Sequence, residues 1–154
     1  GAIPVPDRAT NVLERILAER RLQTGKRTLI GHSLGGLVIK QLLQTSESTA
    51  LQREDAASFI RRVRRVAFLA TPHSGADLPI WGDRLRILFR PSAATACLTR
   101  NDPNLRALNR WYRNWATTHQ VSHLILTERR STKFGMLVRQ DSSDPGLVSE
   151  PIPN

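Results

Sequence analysis

The spacing of apolar residues divides the first part of the chain into helical and extended segments. In the stretch that follows Asp7, DRATNVLERILAERRLQ, apolar residues recur every three or four positions. This spacing predicts a helix with Asp7 as its N-cap and Gly25 as its stop. The short apolar run RTLI, residues 27–30, predicts a strand, and LGGLVIKQLLQT directly after it returns to helical spacing.

The rest of the chain continues this alternation. REDAASFIRRV predicts a helix, and RVAFLAT, residues 65–71, predicts a strand buried on both faces of a parallel sheet. A further helix is predicted after Asp102, with Pro103 at its first position and a core-facing stripe of Leu105, Leu108, Trp111, Tyr112 and Trp115. VSHLILTE and FGMLVR predict two more strands. Alternating strands and helices predict the α/β class, with a mostly parallel sheet covered by helices on both faces.

Composition limits the classes of protein to consider. The chain has 154 residues, 40% of them hydrophobic and 23% charged, which is typical of one folded domain with its own core. No apolar run approaches the roughly 20 residues that cross a bilayer. The single cysteine, Cys97, cannot form an internal disulfide or a zinc site made of cysteines. We therefore expect a cytoplasmic protein.

The charge is strongly basic. The net charge is +10, from 23 Lys and Arg against 13 Asp and Glu, and the densest run holds four arginines between residues 61 and 65. Such a balance favours anionic partners. The arginines lack the aromatic residues that stack on single-stranded nucleic acid, so we expect no specific nucleic-acid binding. The default interpretation is that the arginines form the solvated surface of a basic domain. An acidic protein or an anionic membrane surface is the alternative partner, and the latter would give peripheral membrane association.

One motif carries the chemistry. The segment GHSLG, residues 31–35, matches G-x-S-x-G at the point where the first predicted strand meets a helix. In such an elbow the serine, here Ser33, has a strained backbone and projects its hydroxyl from the sheet edge. A β-carbon on its neighbours would collide with the strand or helix, which predicts a need for glycine at Gly31, Gly35 and Gly36. The N–H of Leu34, at the positive end of the helix, would be one donor to an oxyanion.

Two further segments carry a resemblance. TPHSG, residues 71–75, ends the second strand, and SSDPG, residues 142–146, lies in a late loop. Together with GHSLGG, these segments resemble the lipase and serine-esterase branch of the α/β-hydrolases, in particular the group that contains the serine active site-containing protein and the GPI inositol-deacylase relatives. The resemblance implies that residues 1–154 are a partial α/β-hydrolase domain, incomplete at both ends and accompanied by other domains of a larger protein.

The resemblance also implies a function and a set of roles. The function is hydrolysis of carboxylic esters, such as lipids or phospholipids, with no metal or organic cofactor. Ser33 would be the nucleophile. Asp141 is the favoured acid because it directly follows a strand, and Asp144 is the alternative. The base should be a histidine after the acid, and no histidine occupies that part of the sequence, so we expect it beyond Asn154. A chain that keeps the elbow without a triad would instead be a non-catalytic interaction or regulatory module.

The four histidines all precede both candidate acids. His32 adjoins Ser33, but an elbow directs neighbouring side chains apart. His73 follows a strand near the carboxyl edge of the sheet, where it would line the site or order the loop in preference to acting as the base. His119 and His123 are expected to be surface residues or polar residues with hydrogen-bond partners. The site-lining candidates are therefore His32 and His73.

Overall fold

A computed structural model describes residues 5–71, 73 and 103–126 of the chain. These residues form four helices and three strands in the order α1 (Val5–Ala18), β1 (Arg27–His32), α2 (Leu34–Thr49), α3 (Glu54–Arg62), β2 (Val63–Leu69), α4 (Pro103–Thr118) and β3 (Ser122–Leu126). One turn of 3-10 helix, Arg20–Leu22, lies between α1 and β1. The predicted alternation of helices and strands is confirmed over these ranges. None of these helices is long and apolar enough to span a membrane.

The predicted ends of the first helix are wrong. Asp7 lies inside the first turn of α1, and the helix ends well before Gly25. The Nε2 group of Gln23 folds back and donates to the carbonyl oxygens of Ile16 at 2.8 Å and Leu17 at 2.9 Å. This side chain satisfies carbonyls that the end of a helix leaves without partners. Gly25, with φ at +78°, forms part of the turn that leads into β1.

The three strands form a parallel sheet in the order β1-β2-β3. In this register Ile30 pairs with Ala67, and Ala67 pairs with Leu124. β2 begins and ends two residues earlier than its sequence pattern predicted. All three strands therefore end at the same edge of the sheet, and the segments that follow them meet there.

One face of the sheet carries the core. Each of the four helices contributes buried residues to it, among them Leu13, Leu43, Phe59 and Trp115, which pack with Val66 and Phe68 of β2. The hydroxyl of Tyr112 in α4 lies 2.7 Å from Nε2 of His123 in β3, which joins these two elements by a buried hydrogen bond. The predicted apolar stripe of α4 is confirmed at Leu108, Tyr112 and Trp115.

The opposite face of the sheet is not covered in the same way. Ile30 is 67% exposed, and Leu124 and Leu126 are 36% and 39% exposed. Helical cover of this second face stays a prediction, and in the part of the chain that the structure describes the helices pack on one face. The physical reason is the direction of winding. β1, β2 and β3 follow each other in one direction across the sheet, and right-handed crossovers made in one direction place their helices on one face.

Candidate active site at the end of the first strand

Ser33 has the strained backbone that the motif predicts. It lies between β1 and α2 with φ at 54° and ψ at −125°, a conformation that residues with a side chain rarely adopt. Two hydrogen bonds hold it: its N–H donates to the carbonyl oxygen of Leu69 at 2.9 Å, and its own carbonyl accepts from the N–H of Gly36 at 3.1 Å. The first bond continues the pairing of β1 with β2, so the turn is fixed to the neighbouring strand.

Two of the three glycines are required by close packing. A β-carbon on Gly31 would lie 2.7 Å from the backbone of Gly36, and one on Gly36 would lie 2.3 Å from Oγ1 of Thr71. Thr71 is 2% exposed and cannot move aside without disturbing the core. Gly35 differs, because a β-carbon there would meet nothing within 4 Å. The prediction that Gly35 avoids a collision is therefore wrong.

The hydroxyl of Ser33 is not open to solvent. The residue is 8% exposed, and its Oγ is buried without a hydrogen-bond partner among the described residues. The projection of this hydroxyl from the sheet edge therefore stays a prediction. Leu34 is the first residue of α2, where N–H groups have no acceptor within the helix and can donate to a ligand.

The other predicted site residues fall in three places. His32, the neighbour of Ser33, is exposed. His73 is 4% exposed and lies in the core beyond the end of β2. Asp141 and Asp144, the two candidate acids, lie outside the described residues. The structure thus brings together the Ser33 turn and the segment after β2, and it leaves the acid and the base as predictions.

His73 belongs to a buried polar cluster that we call the Lys40 cluster, made of Lys40, His73 and Asn109. Nζ of Lys40 lies 2.7 Å from Nδ1 of His73 and 2.7 Å from Oδ1 of Asn109. It also lies 5.3 Å and 5.4 Å from the ring centres of Phe68 and Tyr112, within the range of cation–π attraction. The cluster joins α2, the segment after β2, and α4.

Burial sets the protonation of this region. It lowers the pKa of His73 to about 2, with further lowering by the charges of Lys40 and His123. Burial also lowers the pKa of His123 to about 4, with a contribution from Lys40, and lowers the pKa of Lys40 to about 7. A ring that resists protonation this strongly is a poor acceptor for the proton of a serine hydroxyl. This favours a structural role for His73 over the role of general base.

A cleft of about 330 Å³ lies away from Ser33. It is lined by residues at the end of α3, the start of β2 and the end of α4, including Arg61, Arg64 and His119. The start of β2 is at the opposite end of the strand from the residues that pair with the Ser33 turn. Arg61, Arg64 and Arg65 are all exposed, and Arg61 forms an ion pair with Glu54. The cleft therefore plays no part in the candidate chemistry of Ser33.

Sequence reasoning missed Lys40, Asn109 and Thr71. Lys40 follows Gly36 by four positions, so the two residues share one face of α2, and that face is buried. A lysine within the apolar run GGLVIKQLL was the available signal, because a charged residue on a buried stripe requires partners. The partners themselves could not be identified, since 33 and 69 residues separate Lys40 from His73 and Asn109.

Comparison with known proteins agrees with this geometry. Residues 5–79, which include the Ser33 turn and TPHSG, match a protein family described as "Putative serine esterase (DUF676)". The protein SERAC1 of Danio rerio is 30% identical to the chain over 123 residues, which cover 77% of the chain and 18% of that protein. The SERAC1 proteins of Bos taurus and Homo sapiens are 28% and 26% identical over the same shares.

The chain is therefore similar to a serine esterase-like family over just under half of its length, and to one part of the SERAC1 proteins. The chain spans about a fifth of the length of the SERAC1 proteins that it matches. The resemblance seen in the sequence is thus confirmed at the level of the family. The strained serine lies within the residues that match this family.

The two glycines of α2 predict opposite responses to alanine. Gly36→Ala would press a methyl group against buried Thr71 and should lower the free energy of unfolding by about 1–3 kcal/mol. In Gly35→Ala the added methyl group meets open space, so the free energy of unfolding should stay unchanged or rise by up to about 1 kcal/mol. Urea denaturation of both variants beside the parent chain measures this. Equal losses in the two variants would contradict the packing described here.

The buried histidines predict loss of stability in acid. The folded-state pKa values of His73 and His123, about 2 and about 4, lie below the ordinary value of 6.5. Between pH 6.5 and 4 the unfolded chain therefore binds protons that the folded chain does not. Each histidine then lowers stability by up to about 1.4 kcal/mol per pH unit as the pH falls, and this contribution is absent above pH 6.5.

The matched variant for this test is His73→Asn, whose amide can replace the contact with Lys40 but does not titrate. Urea midpoints at pH 7 and pH 5 should differ less in His73→Asn than in the parent chain. An equal difference in both proteins would show that His73 is not held neutral by burial.

Proposed function

We propose that the chain is the nucleophile-bearing part of a serine hydrolase that acts on carboxylic esters. The observation that carries this proposal is the backbone of Ser33, strained at the junction of β1 and α2 with its N–H bonded to β2. Strain of this kind persists only where the surrounding structure enforces it, and it is concentrated at functional sites. The match to a serine esterase family supports the same conclusion.

The proposed reaction has two halves. Oγ of Ser33 attacks the ester carbonyl while its proton passes to a histidine, and the N–H of Leu34 donates to the oxyanion that forms. The C–O bond to the alcohol then breaks, the histidine returns the proton to the leaving alcohol, and an acyl-serine is left. A water molecule activated by the same histidine cleaves that ester and regenerates Ser33. Asp141 is the proposed acid, Asp144 the alternative, and the base is taken to lie beyond Asn154.

A second candidate function is a non-catalytic interaction or regulatory module. The buried Oγ of Ser33, with no partner among the described residues, favours this alternative. A nucleophile must reach its substrate, so catalysis requires that Oγ of Ser33 becomes accessible when the ester binds. A module would keep the strained turn for structural reasons and would never expose this hydroxyl. The two functions therefore differ in whether Ser33 reacts.

A fluorophosphonate probe, which forms a covalent bond with activated serines, distinguishes these functions. We expect the protein in its full natural length to be labelled at Ser33, and Ser33→Ala to lose the label. The control Ser46→Ala removes another buried hydroxyl of α2, one that bonds only to its own helix, and should label normally. No label on the natural protein would support the module, and a label that persists in Ser33→Ala would exclude Ser33 as nucleophile.

The choice of acid is decided by two amide substitutions in the same assay. Asp141→Asn should slow labelling by about 10³- to 10⁴-fold, because the triad loses the group that orients and stabilises its histidine. Asp144→Asn should label at nearly the normal rate. The reverse result would assign the acid to Asp144. The rate is measured as a second-order constant, so that weak and strong reactivity can be compared.

The proposed substrates are esters of lipids or phospholipids. A separate proposal is that the exposed Arg64 and Arg65, at the end of β2 opposite the Ser33 turn, hold the protein on an anionic membrane surface without presenting substrate to Ser33. We expect the protein to sediment with vesicles that contain anionic phospholipid, and to be released as salt rises from about 0.05 to 0.5 M because surface charges are screened. Arg64→Gln with Arg65→Gln should weaken this binding, and equal sedimentation with neutral vesicles would contradict it.

A further inference from the structure

Lys40 is an unusual residue for the centre of a fold. It is 1% exposed, and within the described ranges its polar contacts are neutral groups: an imidazole nitrogen, an amide oxygen and two aromatic faces. A methionine would fill much of the same space without the cost of removing an amine from water. An amine differs from a methionine because its N–H groups donate hydrogen bonds, and these bonds fix the positions of the acceptor atoms.

The atoms fixed by Lys40 belong to the segment that follows β2. His73 is held at its Nδ1, and its ring packs edge-on against Phe68 with centroids 4.7 Å apart. Two residues earlier, Thr71 contacts Gly36, and its Oγ1 lies 3.4 Å from the carbonyl oxygen of Gly31. Thr71 and His73 therefore both lie against α2, Thr71 beside the glycines of the Ser33 turn and His73 on Lys40.

Two strained residues lie side by side where this segment begins. Ser33 has φ at 54°, and Ala70, which follows β2, has φ at 45°. The N–H of Ser33 bonds to the carbonyl of Leu69, the residue just before Ala70, and the N–H of Ala70 bonds to Leu126 at the end of β3. Each strained residue needs its neighbours to hold it. The segment after β2 can do so only if it is itself anchored, and the contact between His73 and Lys40 is its buried polar anchor.

We propose that Lys40 is a positioning residue for Ser33: through His73 and Thr71 it holds the segment after β2 against Gly31 and Gly36, and so keeps the serine turn in its reactive conformation. This inference rests on the proposed function, since it concerns the reactivity of Ser33. It assigns to Lys40 no contact with substrate. Asn109 completes the anchor, because it accepts a hydrogen bond from the same amine and ties it to α4.

The test compares the labelling of Ser33 with stability in the protein at its full natural length. Lys40→Met keeps the length of the side chain and removes the amine. It leaves Nδ1 of His73 and Oδ1 of Asn109 without this donor, so we expect a folded protein whose free energy of unfolding is lower than that of the parent. We expect its maximal rate of fluorophosphonate labelling to fall about ten-fold or more, with the concentration for half-maximal rate little changed. Ser46→Ala, a second buried polar residue of α2, is the matched control and should label at the parent rate.

A second pair of variants keeps the test valid if Lys40→Met folds poorly. Asn109→Leu removes the acceptor on α4, whereas Asn109→Asp keeps an acceptor at the same place. Labelling should fall in Asn109→Leu and return toward the parent rate in Asn109→Asp, a rescue that general loss of packing would not produce. Equal rates in these two variants would overturn the role of the anchor.

The outcomes separate this inference from the proposed function. If the natural protein is not labelled at Ser33, both fail. If the natural protein is labelled at Ser33, and the labelling rate of Lys40→Met is within about two-fold of the natural rate, Ser33 is a nucleophile that Lys40 does not position. If labelling and stability fall in parallel in every variant, Lys40 acts on the fold as a whole and the positioning role is overturned.

Discussion

The close approach of α2 to the ends of β1 and β2 is the constraint on which the rest of the structure depends. A helix can begin one residue after a strand only if the chain reverses sharply, and Ser33 makes that reversal with a positive φ. The helix then starts so close to the sheet that Gly36 meets Gly31 on one side and Thr71 on the other. Neither glycine can carry a side chain there, so the short distance between the helix and the strand ends requires glycine at both positions.

This closeness has an energetic cost that other contacts must offset. The strained conformation at Ser33 is worth about 1–3 kcal/mol, and a second strained residue, Ala70, follows the neighbouring strand. The offset comes from hydrogen bonds that extend the sheet beyond its regular strands, and from the core that all four described helices share. The strained residues thus lie at the carboxyl edge of the sheet. The core that supports them lies between the sheet and the four described helices.

The parts of this arrangement that follow local rules could be predicted from sequence. Apolar spacing located all seven helices and strands of the described ranges, and G-x-S-x-G located the turn, because both depend on residues that are neighbours in the chain. The end of α1 could not be predicted, since it depends on Gln23 folding back. The Lys40 cluster and the exposure of Ile30 depend on contacts between distant segments and on the direction of winding, and no local pattern records these.

The burial of Lys40 has a practical consequence for a chain so rich in arginine. The sequence contains three lysines, and Lys26 is exposed while Lys40 is 1% exposed. A reagent that acylates amines can reach Lys40 only while the core is open, whereas it reaches Lys26 at all times. The ratio of the two acylation rates therefore reports the fraction of molecules in which the core is open. Both rates can be measured in one peptide map.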